Sequence, residues 1–212
     1  VADGKALFIT LEGGEGAGKS TQIKRVAAAL EQMGKQVVVT REPGGSKAAE
    51  AMRNLFIAEN GAEWPLATQA LLMFTARSHH TETLIKPALA EGKVVICDRY
   101  TDSTRVYQGY AGGMGLKAID DIKELAIGDF EPDLTFILDI DPEIGLKRGA
   151  GRGNDTDTTF EQKDIEFHQA LREGFLEIAE GNAVRCKVID ATQDEDSVAA
   201  AILAEVEKRM AA

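Results

Sequence analysis

Residues 13–20 read Gly13-Gly14-Glu15-Gly16-Ala17-Gly18-Lys19-Ser20, and Thr21 follows. The stretch fits the pattern G-x-x-x-x-G-K-[ST] at every fixed position. Its surroundings are those the pattern requires. Leu7 to Leu11 (LFITL) is a short apolar, β-rich run that predicts a buried strand, and a helical pattern runs from the glycines to Met33, where Gly34 stops it. Glycines let successive backbone N–H groups curl around an anion without Cβ clashes, and the helix N-terminus adds the positive end of a dipole. Lys19 can reach the outer phosphates of a nucleoside triphosphate, and the Ser20 hydroxyl can hold Mg²⁺. A glycine-rich turn with a chance Lys-Ser is the bland alternative, and the strand–loop–helix setting argues against it.

Outward from this loop, apolar β-rich runs recur at Val37–Thr40, Val94–Cys97, Leu134–Ile140 and Val184–Ile189. Between them lie helical patterns, among them Lys47–Ala58, about Ala67–Ala90, and Asp196 to about Met210. Strands alternating with helices of ten or more residues imply parallel pairing through crossover helices. The reading is an α/β fold, a parallel sheet of five strands, in one domain covering residues 1–212. Gly149–Thr159 (GAGRGNDTDTT) is poor in apolar residues and predicts a mobile loop within that domain, a lid segment over about 149–160.

The formal net charge is −11. A chain this acidic repels nucleic-acid backbones and anionic membranes, so any phosphate-bearing ligand must be met by local positive charge. There is no run of eighteen apolar residues, so no membrane span is expected, and Val1–Leu11 carries no secretion-signal pattern. Cys97 and Cys186 are too few for a disulfide framework and read as small core residues, which suits a reducing cytoplasm.

The loop does not say what accepts the phosphate. Asp98-Arg99-Tyr100 closes the third strand, where residues of open α/β sheets line the ligand crevice. An Asp there can orient Mg²⁺ through water and an Arg can bridge two phosphates; a strand-end ion pair is the alternative. Arg41, Glu42 and Pro43 end the second strand at the same edge, and Arg53 falls on the next helix. Arg77 shares a helix face with Met73 and Phe74. A flat or soft apolar side chain beside a guanidinium can hold a base, although Met73 and Phe74 can equally be core.

The chain as a whole resembles the bacterial thymidylate kinase family. The motifs that carry the likeness are EGGEGAGKST, TREPGGS, the Arg53 helix, LLMFTAR, IKPAL, CDRYTDSTRVYQG, DFEPDLTFILDIDPEIGLKR and IDATQ, in that order. The resemblance implies a P-loop NTPase-type sheet wrapped by helices with a flexible lid, a homodimer, and transfer of a phosphoryl group from ATP to thymidine monophosphate with Mg²⁺. It also implies roles. Glu15 would lie near the sugar 3′-hydroxyl and Mg²⁺, Arg53 and Arg99 would hold the acceptor phosphate, and Arg77, Thr104 and Gln108 would read the thymine edge. Tyr107 would crowd the 2′ carbon, and Arg148 would lie against adenine in a pocket closed by Thr192 and Gln193. Two departures stand out. The family's usual aromatic four residues before the base-reading Arg is here Met73, with Phe74 one step on. The lid run offers only Arg148 and Arg152, so the charge of the transferring group would rest mainly on Arg152, with Lys163 as a lesser candidate. Rival readings are another pyrimidine nucleoside monophosphate kinase and a non-catalytic ATP-sensing module. A GTPase would want Asn-Lys-x-Asp after a late strand, which is absent.

Overall fold

A computed structural model describes residues 5–150, 160 and 162–211, the side chain of Ala150 excepted. Five parallel strands form one sheet: β1 (Leu7–Glu12), β2 (Val37–Arg41), β3 (Val94–Asp98), β4 (Leu134–Asp139) and β5 (Cys186–Asp190), in the spatial order β2-β3-β1-β4-β5. The central strand β1 is buried at every position. That is why it reads as a largely apolar run, as a strand covered on both faces should. Leu7, Ile9 and Leu11 pack on one side with Ile23, Val26 and Leu30 of α1 (Lys19–Gln32). Phe8 packs on the other side with Val95, Cys97 and Tyr100.

The chain continues through α2 (Lys47–Ala58), α3 (Leu66–His80), a π-helical turn at Thr81–Ile85, and α4 (Lys86–Ala90). The helix expected over 67–90 is therefore one rod with a π-turn inside it. After β3, α5 (Thr101–Thr104) runs directly into a second π-helical stretch, Arg105–Ala111. Then follow α6 (Leu116–Ile127), α7 (Pro142–Ala150), α8 (Ile165–Gly181) and α9 (Glu195–Ala211). Val198, Ile202 and Val206 of α9 join α1 on the first face of the sheet. Strand β5 starts at Cys186, later than the sequence suggested, because the backbone turns through 182–185 and leaves Val184 80% exposed. Both cysteines are buried and unpaired.

The order places β1 between strands reached by connections leading to opposite sides of the sheet. The crevice at such a switch point, outside the carboxyl ends of the strands, is where open α/β sheets bind ligands. Here it receives the 13–20 loop after β1, Glu42 after β2 and Arg99 after β3. Of the expected lid, residues 149 and 150 close α7; 151–159 lie outside the described residues.

Candidate active site

The loop leaves β1 and enters α1 through three glycines at positive φ: Gly13 at 130°, Gly16 at 68° and Gly18 at 88°. Gly13 and Gly16 also need their missing side chains. A Cβ on Gly13 would lie 2.6 Å from the Leu138 carbonyl oxygen, and one on Gly16 only 1.8 Å from that of Gly145 in α7. No side chain caps α1, so its first N–H groups face the loop interior. Lys19 donates to the carbonyls of Gly13 (3.1 Å) and Gly14 (2.9 Å). Burial, and then the nearby Arg99, lower its pKa. Ala17 is buried, Thr21 half-buried and Ser20 exposed.

Arg99 is the hinge between the two halves of the crevice. Its backbone sits at φ 67°, in the left-handed region, with its N–H donating to the Leu11 carbonyl at 3.0 Å. That conformation is unfavourable for a non-glycine residue and persists only where its surroundings fix it. Glu12, fully buried, does much of the fixing: its two carboxylate oxygens accept from the Tyr100 N–H (2.7 Å) and the Ser103 hydroxyl (2.5 Å). The Arg99 guanidinium then reaches the Gly13 carbonyl (3.0 Å) and the Glu15 carboxylate (2.9 Å), and lies 5.1 Å from the centre of the Tyr107 ring. The Tyr107 hydroxyl also donates to Glu15 at 3.3 Å. Burial would raise the Glu15 carboxyl, but Arg99 and Lys19 overcome it and hold it below the usual carboxylate range.

On the acceptor side the nominated residues are brought together. Arg77 donates to Glu42 (2.6 Å), to the Thr104 hydroxyl (3.1 Å) and to the Tyr100 carbonyl (2.9 Å). Gln108 donates to Gln69 at 3.0 Å, and Gln69 is itself anchored on the carbonyls of Ala62 and Trp64. Thr104, Tyr107 and Gln108 all stand on the α5 and π-helical stretch, so their shared orientation rests on a local departure from α-helix of the kind often found at functional sites. Arg53 reaches the Pro43 carbonyl at 3.2 Å. Of the stacking pair, Phe74 is 1% exposed, packed with Ala70 and Ile119 and lying 4.7 Å beneath the Arg77 guanidinium. Met73 is the partly open one. Arg41, by contrast, turns outward to pair with Glu50.

On the donor side Arg148 donates to the Ala191 carbonyl at 2.8 Å, which sets it beside Thr192 and Gln193. That turn is held by Asp190, which accepts from Thr192 and Gln193. Arg152 lies outside the described residues, and Lys163 pairs with Glu63 at 2.9 Å. Glu12, Ser103, Gln69 and His80 escaped the sequence reading. Only Glu12 carried a signal: a lone acid ends an otherwise apolar, fully buried strand.

Among the described residues no group of three or more His, Cys, Asp or Glu side chains is arranged to hold a metal. Mg²⁺ typically takes one or two protein groups plus phosphate oxygens. Asp98 supplies an unoccupied acceptor, its Oδ1 being buried with no hydrogen-bond partner among the described residues. Ser20 offers a hydroxyl on the first turn of α1.

A phosphate loop at the switch point, a second arginine-rich pocket across from it and one arginine touching both define the class of P-loop nucleotide kinases. The family model described as thymidylate kinase matches residues 11–202. Thymidylate kinase from Caulobacter vibrioides is 48% identical over 206 residues, covering 97% of this chain and 98% of that one. The counterpart from a Bradyrhizobium species is 47% identical, covering 98% and 92%. The crystal structure of thymidylate kinase from Ehrlichia chaffeensis superposes with a TM-score of 0.78 at 35% identity, covering 95% of this chain and 98% of that one. The chain belongs to the thymidylate kinase family.

Proposed function

We propose that the protein transfers the γ-phosphoryl group of ATP to thymidine monophosphate, giving thymidine diphosphate and ADP. The single observation that carries the reading is Arg99, which touches the phosphate loop at Gly13 and Glu15 while its strand end also bears the Tyr100 carbonyl that binds Arg77. A module that only senses ATP would have no use for that second pocket.

Phosphoryl transfer asks the protein for position and charge compensation. The loop N–H groups and Lys19 cradle the ATP phosphates. Arg53 and Arg99 hold the acceptor phosphate, whose oxygen attacks the γ-phosphorus in line as the bond to the β-phosphate bridging oxygen breaks. No general base is required, since a phosphate monoester is largely ionised at neutral pH. Arg77, Thr104 and Gln108 face the base edge, Met73 and Phe74 its surroundings, and Glu42 and Pro43 shape the turn. Arg148, Thr192 and Gln193 take the adenine. Ser20 and, through water, Asp98 would hold Mg²⁺, which supplies charge neutralisation on the phosphates. Arg152, in the proposed 149–160 lid, completes the charge around the transferring group.

No helix of the described residues is long and apolar enough to cross a membrane. With both cysteines unpaired, the reading places the protein in the cytoplasm. It also makes it a homodimer: Leu55, Leu71 and Leu125 stand 49%, 52% and 87% exposed on α2, α3 and α6, helices that pack together. The test of function is ADP release with ATP and Mg²⁺ across thymidine, deoxyuridine, uridine and cytidine monophosphates. Preference for thymidylate is expected; preference for a ribonucleotide would move the chain to another acceptor, and silence with all four would favour a sensor.

A further inference from the structure

The turn that follows β2 is built around one buried imidazole that the proposed chemistry does not use. His80 is the last residue of α3 and has no solvent exposure. Its Nδ1 lies 2.8 Å from Oε1 of Glu42, and its Nε2 lies 2.8 Å from the Thr40 hydroxyl. A carboxylate only accepts, so Nδ1 carries the proton and donates to Glu42. The other Glu42 oxygen accepts from Arg77 Nε at 2.6 Å. Arg77 and His80 are three residues apart on one face of α3 and so grip the same carboxylate from both sides.

The turn itself is shaped to fit this side chain. A Cβ on Gly45 would lie 2.3 Å from His80 Nε2 and 2.4 Å from the Thr40 hydroxyl oxygen, so the backbone closes over the imidazole only because residue 45 is glycine. The same turn carries the Pro43 carbonyl that binds Arg53, and the Glu42 N–H donates to the Asp98 carbonyl at 2.9 Å. One imidazole thus sits behind the residues assigned to the acceptor base and behind the turn assigned to its phosphate.

We infer that His80 is a positioning residue of the acceptor site, fixing Glu42 and, through it, the guanidinium of Arg77. The alternative is that His80 merely fills the core. The two differ in which nitrogen matters. Positioning runs through Nδ1, the atom facing Glu42, whereas filling depends on volume and on neither nitrogen in particular. Asparagine can place its amide N–H near the Nδ1 position, and glutamine near the Nε2 position.

The inference rests on the proposed acceptor, so the wild type is assayed first. Failure to phosphorylate thymidylate would overturn the functional reading before any variant is compared. His80→Asn, His80→Gln and His80→Ala are then measured for the KM of each substrate, for kcat, for thymidylate against deoxyuridylate, and for thermal unfolding. Losing a hydrogen bond to a buried charge should raise the acceptor KM at least about tenfold in H80Q and H80A. The ATP KM should stay within about twofold, and H80N should keep its acceptor KM within about threefold of wild type. Equal acceptor KM values for H80N and H80Q would overturn the inference, as would a parallel rise in both substrates' KM that follows the loss in thermal stability.

Discussion

Replacing Glu12 with glutamine should remove a pH-dependent weakness from the fold. Glu12 is fully buried at the end of β1, facing Tyr100 N–H and the Ser103 hydroxyl. Burial raises its carboxyl most, Asp102 raises it further, and the bonds from Ser103 and Tyr100, with Arg99, offset this only in part, so it titrates at about 7 where 4.5 is ordinary. Below pH 4.5 the group is protonated in both folded and unfolded chains. As pH rises from there the unfolded chain releases its proton first, so the folded state binds more protons and stability falls until both are ionised above about pH 7. A gap of roughly 2.5 units at ~1.4 kcal/mol each makes the penalty about 3 kcal/mol. Glutamine is neutral throughout. It keeps an oxygen for Tyr100 and turns an N–H toward the Ser103 oxygen, as the protonated acid would. Denaturant unfolding of both proteins at steps up to about pH 8 isolates the effect, because most other groups titrate alike in the two. The variant should gain about 3 kcal/mol over wild type across that range. Stability curves that stay parallel with pH would refute the reasoning.

Two further substitutions probe the site and its frame. Tyr107→Ala should narrow the preference for thymidine monophosphate over its ribose analogue by about tenfold or more in kcat/KM, the scale on which pockets discriminate by size; unchanged discrimination would mean that another group reads the sugar. Asp102, 1% exposed, takes hydrogen bonds from both Arg105 and Arg185, tying the π-helical stretch to the approach of β5. Asp102→Ala should therefore cost about 3 kcal/mol in denaturant unfolding, since Arg185 loses its carboxylate partner and Arg105 keeps only Asp120 and Glu131. A loss under about 1 kcal/mol would show that water replaces it.

Much of this architecture was legible in the sequence because the physical signal was local. β1 is buried on both faces and reads as a largely apolar run; α2 begins at the residue the pattern gave and is capped by Ser46. What escaped depends on contacts between distant parts of the chain. The left-handed backbone of Arg99 is set by Glu12, 87 positions earlier by numbering, and nothing next to Arg99 in the sequence announces it. Gly16 falls at a variable position of the pattern G-x-x-x-x-G-K-[ST]. The reason it must be glycine here, the Gly145 carbonyl of α7 pressed against it, appears only in three dimensions. The base-side residues Arg77, Thr104 and Gln108 were grouped only by the family resemblance; that the first two bind each other directly and the third is held by Gln69 is seen only in the fold. His80 gave no signal at all, being one of two adjacent histidines at the end of a helix.

The central claim is that the phosphate loop and the arginine-lined pocket across from it work on one phosphoryl group. Single-turnover incubation with ATP labelled at the γ-phosphate, equimolar thymidine monophosphate and Mg²⁺ tests it most directly. The label should appear in thymidine diphosphate, with little in inorganic phosphate. Label recovered as inorganic phosphate, with thymidylate unchanged, would contradict the account.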